Sequence, residues 1–176
     1  MVVTDLSPAI LRPLLPHRTL LETYWENILA GIAAAPDPSL AAVNFSRLVE
    51  HGIGRAEVVG SPQLCRDLLF LLGASEHLTG VLLHQEAGWE DTFCADHASA
   101  IKSVTEYLEA LRDRLAPDLP EEEFLCGLRA YRNREYLRIG TRDLLGRATL
   151  EDTVQDLSHL AEAAVQIAYE LSLIHI

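Results

Sequence analysis

The sequence predicts an all-α fold, a bundle of about six to seven helices with little or no sheet. Helix-favouring Leu, Ala, Glu and Arg recur along the chain in amphipathic order. β-branched residues rarely cluster, and only four Phe, two Trp and five Tyr are present. Of the 176 residues, 49% are hydrophobic and 23% are charged, a balance typical of one soluble globular domain.

Proline, glycine and serine divide the first half of the chain into helices. Residues 1–16 contain three prolines and are expected to form an irregular arm. The third and fourth helices follow the N-cap residues Ser61 and Ser75, and Pro62 takes the first position of the third. The four predicted helices cover residues 17–34, 39–51, 62–73 and a stretch from 76 onward.

Similar signals organise the second half. A loop is expected over 85–92, followed by helices over 95–115, 121–145 and from 150 onward. Three glutamates at 121–123 suit the positive end of a helix dipole, and Gly146 stands where a C-terminal cap belongs. Thr149 and Asp152 have the spacing of a capping box. One face of the last helix is apolar and contains Val154, Leu157, Leu160, Ala161, Ala164, Val165 and Ala168.

Charge and cysteine content limit the partners and the compartment. The formal net charge of −12 argues against a general affinity for nucleic acid or anionic membrane. The longest apolar run, 68–72, is far shorter than the roughly 20 residues that span a bilayer, and the N-terminus does not resemble a signal peptide. The sequence has three cysteines, Cys65, Cys94 and Cys126, and an odd number of cysteines is typical of a protein whose thiols stay reduced. We therefore expect a cytoplasmic protein that binds neither nucleic acid nor membrane.

Common enzyme motifs are absent from the sequence. It contains no G-x-G-x-x-G, phosphate loop, G-x-S-x-G or H-E-x-x-H, and no Asp-x-Asp pair of the kind that holds Mg²⁺ in nucleotidyl transfer. Cys94 and His97 have the spacing of half a zinc site, and His77 and His84 lie two helical turns apart on one face, but neither pair completes the four ligands of a structural zinc site. We therefore assign no catalytic, cofactor-binding or metal-binding residue.

Arginines are concentrated between residues 129 and 147, which hold six of the 14 basic residues. Arg134, Arg138 and Arg142 are four residues apart and form one stripe along a helix. Such a stripe could dock a phosphate-bearing partner or the carboxylates of a neighbouring domain. The alternative, which the spacing favours, is a face paired with Glu135, with the acidic trio at 121–123 or with acids of the last helix. The candidate docking residues are Arg132, Arg134, Arg138 and Arg142.

This arginine-rich segment resembles a known family. Residues 128–140, 142–146, 150–153 and 157–163 resemble the glutamine synthetase adenylyltransferase and adenylyl-removing enzyme family, at the helical segment ahead of its first nucleotidyltransferase domain. A second stretch, 71–85, is similar to a helix pair near the N-terminus of the family. Together the two stretches cover roughly residues 62–170, in the family's order.

The resemblance implies a bifunctional regulatory enzyme. Members add AMP from ATP to a tyrosine of glutamine synthetase and remove it by phosphorolysis, with Mg²⁺ and with signals from the PII protein and glutamine. The family continues into a glycine-rich turn and a Ser-Asp-x-Asp metal motif, which this sequence does not contain. We therefore expect a fragment that is inactive alone and holds no cofactor, with a helical domain over 17–170 before a missing nucleotidyltransferase domain and a truncated or non-native tail over 171–176.

The fragment hypothesis carries a structural expectation. If a domain is missing, apolar surface should be exposed where it packs, along Val154, Leu157, Ala161, Ala164 and Val165. Two other hypotheses stay open on sequence grounds. One is a stand-alone helical module whose arginine stripe docks an acidic or phosphorylated partner, and the other is a small helical metalloenzyme.

Overall fold

The computed structural model describes residues 6–52, 56–84, 92–93, 101–116 and 119–174. These residues form helices and the turns between them, with no strand among them, so the all-α prediction is confirmed. The chain divides into two units, Met1–Cys94 and Ala95–Ile176. The helical domain predicted over 17–170 includes parts of both units, and its place before a nucleotidyltransferase domain stays a prediction.

The first unit is built from seven α-helices within its described residues. α6 is the central one, because it packs against both α3 and α4. Two 3-10 segments, Arg12–His17 and Glu22–Tyr24, connect the first three helices. The helices are α1 (Pro8–Leu11), α2 (Arg18–Leu21), α3 (Trp25–Ala34), α4 (Pro38–Glu50), α5 (Ala56–Val59), α6 (Pro62–Ala74) and α7 (Glu76–Leu83).

The predicted irregular arm is helical from residue 8 onward. The Ser7 hydroxyl accepts a hydrogen bond from the backbone N–H of Ala9, and Pro8 occupies the first helical position, so the prolines start helical turns instead of preventing them. Leu14 is fully buried and anchors this segment to the core of the unit. The predicted helix over 17–34 is interrupted by the second 3-10 segment.

Capping side chains fix the ends of the central helices. Ser61 and Ser75 cap α6 and α7, as predicted, and Asp37 accepts from two backbone N–H groups at the start of α4. The buried Asn44 donates to the carbonyl of Leu72 at 2.9 Å, in the last turn of α6. Carbonyls in a last turn lack helical partners, so this bond satisfies a group that α6 leaves open.

The second unit contains α8 (Val104–Arg114), α9 (Glu121–Leu144) and α10 (Leu150–Ile174) in its described part. α10 packs against both other helices. Within the range of the helix predicted over 95–115, α8 begins at Val104, where Ser103 and Glu106 form a reciprocal capping box. Residues 95–100 and most of the loop predicted over 85–92 lie outside the described residues.

The boundaries of α9 and α10 agree with the sequence signals. Gly146 follows α9 with a φ of 65°, a left-handed conformation that glycine adopts readily. The Thr149 hydroxyl accepts from the N–H of Asp152 at 3.1 Å, and the Asp152 carboxylate accepts from the N–H of Thr149 at 3.0 Å. The predicted capping box is confirmed. No described helix is both long enough and apolar enough to cross a lipid bilayer.

A test of the first unit uses Gly73 in α6. A Cβ built there would lie 2.8 Å from the carbonyl oxygen of Asp37 and 2.9 Å from the Cβ of Ala35. Because the nearest obstacle is backbone, we expect Gly73→Ala to lower the free energy of unfolding by about 1–3 kcal/mol. Both tryptophans belong to this unit, so urea titration followed by tryptophan fluorescence measures the change.

Gly80 in α7 supplies the matched control. A Cβ there has no neighbouring heavy atom within 4 Å. Gly80→Ala should therefore leave stability unchanged or raise it by up to about 1 kcal/mol, because alanine favours the helix. Equal stability of Gly73→Ala and the unsubstituted chain would contradict the close approach of α6 to the segment before α4.

Candidate functional site

Two of the four candidate docking arginines point into the second unit. Arg138 and Arg142 are only 7% and 3% exposed, and they lie one turn apart on α9. This spacing lets both guanidinium groups reach the same residue, Asp156 on α10. Asp156 is fully buried, so the candidate site is an internal ion-pair cluster.

Asp156 accepts four hydrogen bonds, two on each carboxylate oxygen. Its Oδ2 accepts from Arg138 Nη2 at 2.9 Å and from Arg142 Nη1 at 3.0 Å. Its Oδ1 accepts from the Tyr107 hydroxyl at 2.5 Å and from the backbone N–H of Lys102 at 3.2 Å. One carboxylate therefore binds α9, α8 and the segment that leads into α8.

A second carboxylate completes the group. Glu135 accepts from Arg138 Nε and from Lys102 Nζ, both at 2.6 Å. Arg138 also donates from Nη2 to the Tyr107 hydroxyl at 2.7 Å. The Asp156 cluster is defined as the residues that these bonds join: Lys102, Tyr107, Glu135, Arg138, Arg142 and Asp156. It combines three cations with two carboxylates, and burial leaves little water to screen their attraction.

His159 holds the same segment from the next turn of α10. Its Nδ1 lies 2.7 Å from the backbone carbonyl oxygen of Lys102. Because a carbonyl oxygen only accepts, this contact places the proton on Nδ1. The backbone of Lys102 is therefore bound to α10 twice, through its N–H by Asp156 and through its carbonyl by His159.

Two members of the cluster, Arg138 and Tyr107, have raised pKa values. Burial alone would lower the pKa of Arg138, but the charge and hydrogen bond of Glu135 raise that pKa above its ordinary value. Burial, followed by the hydrogen bond to Asp156, raises the pKa of Tyr107, so its hydroxyl stays protonated and donates. Arg138 and Tyr107 thus keep the protonated forms that their bonds require, which suits a structural role.

The cluster does not fit a magnesium ion. Mg²⁺ is bound through carboxylate oxygens, whereas the carboxylates of Asp156 and Glu135 are already paired with Lys102, Arg138 and Arg142, whose positive charges repel a second cation. Among the described residues there is no group of three or more His, Cys, Asp or Glu that could hold a metal ion.

The other two candidate arginines are placed differently. Arg132 is exposed, donates to Asn133 Oδ1 at 3.3 Å and lies over the ring of Tyr136 at 5.6 Å. Arg134 is partly exposed and also takes part in contacts. For Arg138 and Arg142 the structure supports the intramolecular alternative, with Glu135 and an acid of the last helix as partners. Docking through Arg132 and Arg134 stays a prediction.

The cysteines and histidines considered as ligands are not gathered into a site within the described part of the chain. Cys65 is buried, and its burial raises the pKa of the thiol to about 12, so it is a poor nucleophile and a poor ligand. His84 is exposed and its Nδ1 lies 2.7 Å from the carbonyl oxygen of Gly80. Cys94 and His97 fall outside the described residues.

The sequence analysis did not pick out Asp156, Tyr107 or Lys102. One signal could have found the first of them. Asp156 stands at a core position of α10, because the buried residues of that helix recur at three- and four-residue steps through 153, 156, 160, 163 and 167. A charged residue at such a position needs a partner, and the arginine stripe was the available one.

Comparison with known proteins now places this unit in a family. The family model described as glutamate-ammonia ligase adenylyltransferase matches residues 65–175, which include the whole Asp156 cluster. The chain belongs to this family. Residues 171–175 are inside the matched range of the adenylyltransferase model, while the expectation of a truncated or non-native tail over 171–176 stays a prediction.

Relatives of the adenylyltransferase family extend the match. A bifunctional glutamine synthetase adenylyltransferase/adenylyl-removing enzyme of Pseudomonas syringae pv. tomato is 31% identical over 171 residues, which are 93% of this chain and 14% of that protein. The enzyme of the same name from Shewanella loihica is 31% identical over 126 residues, 72% of this chain and 13% of the relative. That of Pseudomonas putida is 48% identical over 50 residues, 28% of this chain and 5% of the relative. No solved structure matches the chain.

Removing the charge of Asp156 tests the cluster. We expect Asp156→Asn to lower the free energy of unfolding by about 3–5 kcal/mol, because Arg138 and Arg142 stay buried without their carboxylate. Glu162→Gln, which removes an exposed charge from the same helix, is the control and should change it by less than about 0.5 kcal/mol. Urea titration followed by circular dichroism measures both. Coincident transitions for the two variants would contradict the role of Asp156.

Alkaline pH provides a second test, through Tyr107. Its pKa is raised in the folded state above the value of about 10 in an unfolded chain. The folded state therefore binds the proton more tightly, and this stabilisation is complete below about pH 10 and is lost as the pH rises further.

The unfolding free energy should accordingly fall between about pH 10 and 11, and fall less steeply in Tyr107→Phe. Below pH 10 that variant should be less stable by about 1–3 kcal/mol, because Asp156 loses a donor. Urea titrations at three pH values give the slopes. Tyr131, whose pKa burial also raises, supplies part of the slope in both proteins. Identical slopes would contradict the proposed state of Tyr107.

Proposed function

We propose that this chain is a helical unit of a glutamine synthetase adenylyltransferase and that it supports the enzyme's nucleotidyltransferase domain without taking part in the chemistry. The observation that carries the proposal is the family match over residues 65–175. The whole enzyme would add AMP from ATP to a tyrosine of glutamine synthetase and remove it by phosphorolysis. The chain spans 14% and 13% of the first two relatives, so these steps are assigned to the remainder of the polypeptide.

The geometry supports a scaffolding role. Nucleotidyl transfer needs carboxylates that hold Mg²⁺ against triphosphate oxygens. The buried carboxylates of the second unit are instead neutralised by arginine and lysine. ATP and Mg²⁺ therefore belong, in this proposal, to the nucleotidyltransferase domain. Glutamine synthetase and the PII protein are its proposed partners, and the cytoplasm its proposed compartment.

A stand-alone interaction module is the competing proposal. Of its four candidate docking arginines, two face the core, Arg138 and Arg142. The exposed Arg132 is the feature that still favours docking of an acidic partner.

The proposal predicts a chain that is inactive by itself and functional in context. We expect no binding of ATP·Mg²⁺ by isothermal titration calorimetry, and no change in the adenylylation of glutamine synthetase on incubation with the purified chain. We also expect a chimera, in which this chain replaces the matching segment of the Pseudomonas syringae relative, to adenylylate glutamine synthetase.

One control variant and two contradicting outcomes complete the test. The same chimera carrying Asp156→Asn should have a lower melting temperature but keep its catalytic activity at low temperature, because the substitution acts on folding. Activity of the isolated chain, with contaminating enzyme excluded, would overturn the scaffolding role. A chimera that folds but lacks both activities would overturn the assignment of this chain to the enzyme.

A further inference from the structure

α10 has two apolar faces, and the second unit covers only one. The inner face contains Thr153, Asp156, Leu160, Ala163 and Ile167, all buried. On a second face, about 100° around the helix axis from the first, Leu150, Val154 and Val165 are 71%, 54% and 71% exposed. Leu157 and Ala161 between them are exposed as well, and Ala164 is partly buried. The exposed apolar face expected from the sequence is confirmed.

The spacing of this second face is that of a helix seam. Its positions 150, 154, 157, 161, 164 and 168 alternate steps of four and three residues. Such a repeat keeps apolar side chains in line with a partner along several turns. Leu and Val occupy the first half and Ala the second, so a partner can approach more closely toward the C-terminal half. The α10 outer face is defined as these six residues together with Val165.

We propose that the α10 outer face is covered by a part of the family polypeptide outside these 176 residues, through an apolar surface with lysine or arginine at its rim. This rests on the proposed function. The chain spans 14% of the Pseudomonas syringae relative, so most of that polypeptide is available to supply the cover. The family model matches through residue 175, and the α10 outer face therefore belongs to the part of the chain that resembles the family.

The charges on α10 indicate which kind of surface can cover its outer face. α10 carries five carboxylates and neither lysine nor arginine between residues 150 and 174. Asp152, Asp156 and Glu170 are bound within the second unit. Glu151 and Glu162 are exposed and lie on the helix beside the α10 outer face, where they form an acidic rim. A basic rim on the covering surface would complement them.

The same charge argues against a second copy of this chain as the cover. Two copies would bring together two helices that carry no lysine or arginine, on chains of net charge −12 each. Like charges at an interface oppose association. A different part of the longer polypeptide avoids this conflict and also profits from covalent linkage, which raises its effective concentration at α10.

Thiol labelling measures how accessible the α10 outer face is in two proteins, the isolated chain and its chimera with the Pseudomonas syringae enzyme. Val154→Cys should react readily in the isolated chain and about ten-fold or more slowly in the chimera, where the cover must open first. Gln155→Cys, on the neighbouring exposed turn outside the face, is the matched control and should react at similar rates in both. Peptide mapping by mass spectrometry separates these sites from the native cysteines.

A pair of charge variants tests the same surface without labelling. Val154→Glu with Val165→Glu should leave the melting temperature of the isolated chain nearly unchanged, since both positions are exposed, and should lower that of the chimera. Gln155→Glu with Gln166→Glu adds the same charge outside the face and should lower neither.

The outcomes of these two experiments distinguish the possible covers of the α10 outer face. Equal labelling of Val154→Cys in both proteins, with no effect of the glutamate pair on the chimera, would overturn the proposal. Labelling that slows in the isolated chain as its concentration rises would identify a second copy as the cover and also overturn it. Protection of Val154→Cys in a chimera without enzymatic activity would support the cover while overturning the proposed function.

Discussion

The second unit depends on the attraction between one buried carboxylate and two buried guanidinium groups. Asp156 is the only point at which Arg138, Arg142, Tyr107 and the backbone of Lys102 meet among the described contacts. Desolvating so many charges is costly, and their pairing offsets the cost only while every partner is present. The packing of α8, α9 and α10 against one another is therefore set by these ion pairs as well as by apolar contacts.

Local signals in the sequence were sufficient for most helix boundaries. Ser61, Ser75 and the Thr149–Asp152 pair cap helices because a capping residue bonds to backbone within three positions of itself. The start of α8 at Val104 has the same cause, since Ser103 and Glu106 form a capping box there. The irregular arm predicted from the prolines in the first 16 residues is wrong from residue 8 onward, because proline fits the first turn of a helix.

The site could be predicted only in part, because its bonds join distant residues. The arginine stripe was visible as a four-residue period, and Glu135 lies beside it on the same helix. Asp156, however, is 54 residues from Lys102 and 49 from Tyr107, and no spacing rule connects them. Whether an arginine faces solvent or core depends on which helix packs against it. Only the structure therefore shows that Arg132 is exposed and Arg138 is buried.

The two faces of α10 constrain its rotation in a way that neither does alone. Turning the helix by one residue, about 100°, would carry Asp156 away from both arginines and would also move the outer seam out of line with the proposed cover. Correct ion pairing inside the unit therefore fixes the direction in which Val154 and Val165 point outward. If the proposed cover is correct, a buried charge whose described bonds all lie within the second unit thus determines the angle at which that cover attaches.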